Sequence, residues 1–136
     1  MCRAVFLTLV FVAHSQAFAG EAEVLNVEVF CDDDATCDFN VTVKHADNGW
    51  EHYANRWEVR TLDGKRLAVR ELAHPHDNEQ PFTRSLRNVH IPDDVNKGIV
   101  RARDSRHQYG GKEMTVELTK SGALPPNKSL EPPGHE

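Results

Sequence analysis

The sequence has no excess of basic residues. Its 16 lysines and arginines are outnumbered by 21 aspartates and glutamates, and the formal net charge is −5 with neutral histidines. A protein that binds nucleic acid needs clustered Lys and Arg to neutralise the phosphates, and no basic stripe occurs along this chain. We therefore expect no nucleic-acid partner.

Several signatures of enzymes are also missing. The chain has no Gly-x-Ser-x-Gly nucleophile elbow, no phosphate-binding P-loop and no dinucleotide-binding fingerprint. We therefore assign no catalytic residue from these motifs, and the sequence leaves open whether the protein is an enzyme.

Long hydrophobic runs are confined to the N-terminus. Residues 4–13 are apolar apart from Thr8, and Ala17-Phe18-Ala19 forms a small-x-small cleavage site before Gly20. This pattern predicts a secretory signal peptide over 1–19, because a bilayer-spanning helix needs about 20 apolar residues. A retained signal anchor is the less favoured reading. Cys2 does not stand at the cleavage site, so we expect a periplasmic or secreted protein with no stable membrane insertion after cleavage.

Cysteine is scarce, with three in the chain. Loss of the leader would remove Cys2 and leave Cys31 and Cys37, a pair that predicts a disulfide in an exported protein. The alternatives are a redox pair or thiolate metal ligands. Redox motifs usually use the tighter Cys-x-x-Cys spacing, which favours a structural disulfide that fixes a hairpin.

Segments of helical period are missing as well, and alternation of apolar and polar residues takes their place. Leu25, Val27 and Val29 show it, as do Phe39 and Val41 in the next segment. The predicted strands cover 25–31, 37–44, 56–61, 66–72, 82–91, 99–103 and 114–118. We therefore predict an all-β domain over 20–120, a seven-stranded antiparallel β-sandwich of immunoglobulin or fibronectin-III type. The Pro-rich stretch 121–136 is predicted to be a disordered tail.

Histidines are concentrated in the loops that this topology brings to one end. Connections alternate between the two ends of an antiparallel sandwich, so the second, fourth and sixth loops share an end. Five of the histidines lie in these loops: His45, His52, His74, His76 and His107. Because imidazole binds zinc, copper, iron and nickel, the set predicts a transition-metal site for copper, zinc or iron.

Acidic residues accompany these histidines, among them Asp47, Asp77 and Asp104. Each could bind the metal directly or accept the second ring N–H of a histidine, and we include Asp104 among the candidate ligands. In an extended segment His74 and His76 would point to opposite sides, so that only one would coordinate. The other reading is a polar loop end whose histidines bond backbone and water.

Aromatic residues flank the same end of the predicted sandwich. Trp50, Tyr53 and Tyr109, together with Arg84, are candidates for lining a ligand pocket. They support two functional hypotheses. The first is a metal carrier or redox centre, with a protein partner for metal transfer. The second is a metal-free module that binds a protein or a glycan through these loops.

Two resemblances bear on these hypotheses. The runs 49–53, 79–86 and 101–107 resemble small exported bacterial proteins to which no function is attached. In addition, His45, Glu51-His52-Tyr53 and Trp57 are similar to the first loop of superoxide reductases, immunoglobulin-like non-haem iron proteins. That resemblance implies an iron site and metal oxidoreductase activity. The family's later Cys-Asn-x-His corresponds here to residues 104–107, with Asp104 in place of the cysteine.

Overall fold

A computed structural model describes residues 20–118, which form seven β-strands. The predicted leader over 1–19 and the predicted tail over 121–136 lie outside the described residues. The strands are β1 (Glu23–Cys31), β2 (Thr36–Lys44), β3 (Ala54–Arg60), β4 (Arg66–Glu71), β5 (Phe82–His90), β6 (Lys97–Asp104) and β7 (Met114–Glu117). All seven predicted strands are confirmed. Within 20–118, no helix is long and apolar enough to cross a membrane.

The strands form two antiparallel sheets, which confirms the predicted sandwich. One sheet has the order β1-β2-β5 and the other the order β4-β3-β6-β7. The fourth strand joins the sheet of β3, to which a short turn containing Gly64 connects it. Its edge also reaches the opposite sheet, because the Arg70 guanidinium donates to the Ser85 carbonyl at 2.9 Å.

The core lies between the sheets and is built by the alternating apolar residues. In β2, Cys37, Phe39, Val41 and Val43 are fully buried, and Trp57 faces them from β3. Burial of these side chains is the main favourable contribution to folding.

Strand β1 departs from the predicted alternation. Val24 is fully buried whereas Leu25, expected on the apolar face, is 36% exposed. A β-bulge explains the difference, since Val24 pairs with Val43 and Asn26 with Thr42, which leaves Leu25 as the extra residue. The bulge shifts the side-chain phase by one position at the start of the strand.

The Cys31–Cys37 disulfide is confirmed. The two cysteines are direct cross-strand partners in β1 and β2, with their Cα atoms 4.0 Å apart. The Asp32 carboxylate organises the turn between them by accepting hydrogen bonds from the backbone N–H groups of Asp34 and Thr36.

Three loops meet at the other end of the sandwich, which we call the loop end (residues 45–53, 72–81 and 105–113). The His45 N–H donates to Gln80 Oε1, and the Ser105 N–H donates to the Tyr53 carbonyl. The start of the domain lies at the same end, because Glu23 pairs with Lys44, the residue before His45. The fold therefore positions the three histidine-bearing loops side by side.

Candidate metal centre

Four polar side chains converge at the loop end from different elements. His45 directly follows β2, and His52 stands two residues before β3. Asp104 is the last residue of β6, and His107 lies in the loop after it. Because β3 pairs with β6, Ala54 lies opposite Asp104, and His52 is brought near the carboxylate. We call these four residues the histidine–aspartate cluster.

The atoms of the cluster that can bind a metal are closely spaced. His52 Nε2 lies 3.3 Å from His45 Nε2 and 3.2 Å from His107 Nδ1. Asp104 Oδ2 lies 3.4 Å from His45 Nε2, 3.6 Å from His52 Nε2 and 3.0 Å from His107 Nδ1. Ligands of a tetrahedral zinc ion with bonds of about 2.0–2.1 Å stand about 3.3 Å apart. The five separations lie near this spacing, and His45, His52 and Asp104 form a buried group able to hold a metal ion.

The cluster is buried on one side and open on the other. The side chains of His45 and Asp104 are 1% and 0% exposed, and that of His52 is 11% exposed. The side chain of His107, by contrast, is 41% exposed. An ion in the cluster would therefore meet solvent on the His107 side.

Asp47 orients the His45 ring through Nδ1, the ring nitrogen that does not face the cluster. Its Oδ1 lies 2.6 Å from His45 Nδ1 and also accepts the Ala54 N–H at 3.0 Å, while Oδ2 accepts the His76 N–H at 2.7 Å. A carboxylate on one ring nitrogen fixes the proton there and directs the lone pair of the other nitrogen toward a metal. His45 is thereby set to present Nε2 to the cluster.

Asp104 is held in a similar way by the backbone. Its Oδ1 accepts hydrogen bonds from the N–H groups of Arg106 and His107, which leaves Oδ2 facing the three imidazoles. Burial acts to raise the pKa of Asp104, but these N–H donors and His107 hold that pKa below its usual value. The carboxylate is thus ionised at neutral pH.

The local charges also suit a cation. Burial opposes the charge of His45, but the hydrogen bond and charge of Asp47, the charge of Asp104 and the Gly20 backbone raise its pKa. The pKa of Asp47 is lowered despite its burial, through His45 and the N–H groups of Ala54 and His76. Two carboxylates with lowered pKa values lie in this largely dry site, where a divalent ion would compensate their charge.

The other two candidate histidines are stacked outside the cluster. The buried His76 ring packs face to face on Phe82, with centroids 4.0 Å apart and an interplanar angle of 10°, and His74 covers it at 4.6 Å. Burial, followed by the charge of Arg84, lowers the pKa of His76, so the ring is neutral. The structure therefore places His74 and His76 beside the cluster, where the His76 backbone anchors Asp47.

The four candidate pocket residues are distributed over three places. Trp50 packs edge-on against Tyr53, and its side chain borders a groove of about 500 Å³ between the first two loops. The buried Arg84, on β5, pairs with Glu79 in the loop before that strand. Tyr109 lies on the outer face of the four-stranded sheet, where the Arg101 guanidinium stacks 3.9 Å from its ring centroid. Tyr109 and Arg84 thus have structural partners of their own.

Sequence reasoning did not find the role of Gln80. Its side chain accepts the His45 N–H and donates to the His76 carbonyl, so that it links the first two loops. A single glutamine in a loop carries no recognisable signal, because its partners lie 35 and four residues away in the chain.

A relative of this chain occurs in a halophilic archaeon. The protein, named "Putative lipoprotein", from Halomicrobium mukohataei is 42% identical over 103 residues, which cover 76% of this chain. The match spans 50% of the relative's length. No family model matches the chain, and no solved structure matches it at a significant level, so the resemblance to superoxide reductases gains no support.

Proposed function

We propose that the protein binds one transition-metal ion in the histidine–aspartate cluster, outside the cytoplasm, as a metal carrier. The observation that carries the proposal is the spacing of the four donor atoms, 3.0–3.6 Å for the five separations given above. Three of these atoms, on His45, His52 and Asp104, form a buried group able to hold a metal ion.

The hydrogen bonds within the cluster are compatible with the same proposal. With the His45 proton held at Nδ1 by Asp47, Nε2 is an acceptor, and Asp104 Oδ2 is an acceptor too. In the metal-free state the His52 Nε2–H can donate to His45 Nε2 and the His107 Nδ1–H to Asp104 Oδ2, and a cation would take the place of both hydrogens. A cation in the centre would satisfy all four atoms at once.

The donor set favours zinc among the three candidate metals. Three imidazole nitrogens and one carboxylate oxygen in a tetrahedral arrangement suit Zn²⁺, whereas Cu²⁺ prefers a tetragonal arrangement. Ferrous iron binds the same donors but usually takes more than four ligands. We therefore place zinc first and retain copper and iron as the alternatives to be tested.

The relative supports the proposed location. A lipoprotein acts outside the cytoplasm, and the name of the Halomicrobium protein assigns it to that class. Residues 1–19 of this chain read as an export signal, although Cys2 does not stand where a lipid anchor would be expected. In that compartment a carrier would deliver its ion to a protein partner.

Elemental analysis tests the proposal. The protein is purified without a polyhistidine tag from the compartment to which its native cells export it. We expect about one metal ion per chain. The double variant His52→Ala/His107→Ala should lose the metal and keep the β-sheet circular dichroism. A matched double variant, His74→Ala/His90→Ala, removes two exposed imidazoles outside the cluster and should keep the ion. No metal in the wild type and no uptake of zinc, copper or iron on titration would refute the proposal.

One observation favours a second candidate, a metal-free binding module. Trp50 is 67% exposed on the wall of the groove that it shares with His74, His76 and Asp77. Exposed tryptophans beside a groove commonly anchor a protein or glycan ligand. This candidate predicts that Trp50→Ala abolishes partner binding whereas the His52→Ala/His107→Ala variant retains it.

A further inference from the structure

We infer that His107 is an exchangeable ligand of the metal, and that its coordination position is the place where an external donor binds. The donor would be an imidazole or thiolate side chain of a partner, or a small anion. This inference rests on the proposed function. It adds that His45, His52 and Asp104 hold the ion while the fourth ligand is exchanged.

Unequal burial of the ligands is the first support. The three inner side chains are 0–11% exposed, whereas that of His107 is 41% exposed. A donor from solution can approach the fourth position without displacing core residues. Three protein ligands with one replaceable position is the arrangement that zinc sites use when the ion must meet another molecule.

The way in which each ring is held is the second support. The His45 ring is fixed through Nδ1 by Asp47, so that it cannot turn without breaking that hydrogen bond. The recorded hydrogen bonds of the His107 ring all involve Nδ1, the same atom that faces the cluster. The His107 backbone is held separately, because its N–H bonds Asp104 Oδ1. The imidazole can therefore rotate out while the turn stays in place.

The neighbour of His107 suits an electron-rich incoming group. Arg106 donates from Nε to the Glu51 carbonyl at 3.0 Å, and its side chain is 58% exposed on the open side. Its pairing with the Glu51 carboxylate is long, 4.0 Å, and both groups are exposed, so the positive charge stays available. A thiolate or a small anion that approaches the metal would be attracted there.

Cobalt substitution tests the inference, because visible bands of Co²⁺ report its ligands. The Co²⁺-loaded wild type should shift its spectrum when millimolar imidazole or azide is added. His107→Ala should still bind about one Co²⁺ with altered bands, and imidazole should restore bands like those of the wild type. Transfer of Zn²⁺ from His107→Ala to a colorimetric chelator should be about 10- to 100-fold faster than from the wild type. His74→Ala, which also removes an exposed imidazole at the loop end, should behave like the wild type.

Three outcomes would overturn the inference. If His107→Ala is folded but binds no metal while the wild type does, His107 is indispensable and not exchangeable. If the Co²⁺ bands of His107→Ala equal those of the wild type, His107 is not a ligand. If the wild type binds neither Co²⁺ nor Zn²⁺, the proposed function itself fails, and the two failures are thereby distinguished. His107→Gln, which keeps a polar side chain of similar reach, serves as a second variant if His107→Ala does not fold.

Discussion

A single carboxylate controls the geometry of the candidate site. Asp47 is fully buried and bonds the His45 ring, the Ala54 N–H and the His76 N–H, which belong to two loops and one strand. It touches no other donor atom of the cluster in the recorded contacts, so it acts by positioning His45. Its removal should therefore weaken metal binding without deleting a ligand.

We expect Asp47→Asn to lower the affinity for Zn²⁺ about 10- to 100-fold, the usual effect of losing a residue that hydrogen-bonds a metal ligand. The asparagine has nearly the same shape but neither the charge nor the second acceptor oxygen. Competition titration against a chelator of known affinity measures the change. Asp77→Asn is the matched control, because Asp77 is exposed at the same end and bonds only the Gly49 N–H. Equal affinity of Asp47→Asn and the wild type would contradict the positioning role.

At the residue scale, the sequence predicted which loops come together better than which of their histidines share a cluster. The sequence offers five candidate histidines and expects only one of His74 and His76 to coordinate; in the structure His76 stacks on Phe82 whereas His107 joins the cluster. The difference depends on where the backbone of each loop places the ring, which spacing along the chain does not encode. Asp47 was one of several acidic residues beside the histidines, and only the tertiary structure distinguishes it from Asp77.

At the scale of elements, strand periodicity was a reliable guide. Every predicted strand is present, with ends that differ by no more than two residues. The bulge in β1 could not be predicted, because Val24 and Leu25 are both apolar and either could begin the buried face. The sheet that β4 joins follows from the short turn before it, since that turn pairs β4 with β3.

The disulfide hairpin allows a prediction at this scale. Cys31→Ser/Cys37→Ser should lower the free energy of unfolding by about 2–3 kcal/mol, because a short closed loop restricts the unfolded chain by about that amount. Urea denaturation of the variant and of the oxidised wild type measures the loss. The hairpin lies at the end opposite the cluster, so the variant should still bind one metal ion. A variant that folds normally but loses its metal would show that the two ends are coupled.

For the whole molecule, metal and protons should compete for His45. Its raised pKa stabilises the metal-free fold fully below the unfolded pKa of about 6.5, and this contribution is lost as the pH rises through the folded pKa. Asp47 and Asp104 have lowered pKa values, so their contributions are present above about pH 4 and are lost as the pH falls through the folded values. The metal-free protein should thus be most stable between about pH 4 and 6.5.

Binding of Zn²⁺ has the opposite dependence, because a metal ligand must be unprotonated. We expect the increase in melting temperature on addition of Zn²⁺ to be small at pH 5 and to grow up to pH 8. Thermal denaturation with and without Zn²⁺ across this range checks the trend, and the His52→Ala/His107→Ala variant should show no increase at any pH. A Zn²⁺ effect that is constant with pH would exclude His45 as a ligand.

The path of the chain through the sandwich determines how a tethered molecule would be oriented. Gly20 contributes a backbone hydrogen bond to His45, whereas β7 ends beside the start of β6, at the far end. An attachment made through residues before Gly20 would hold the cluster toward the surface that carries the attachment. Strand β7 would then end on the side away from that surface. Metal exchange would be confined to the space between the domain and its support, where a membrane-bound partner could reach it and a freely diffusing one would be hindered.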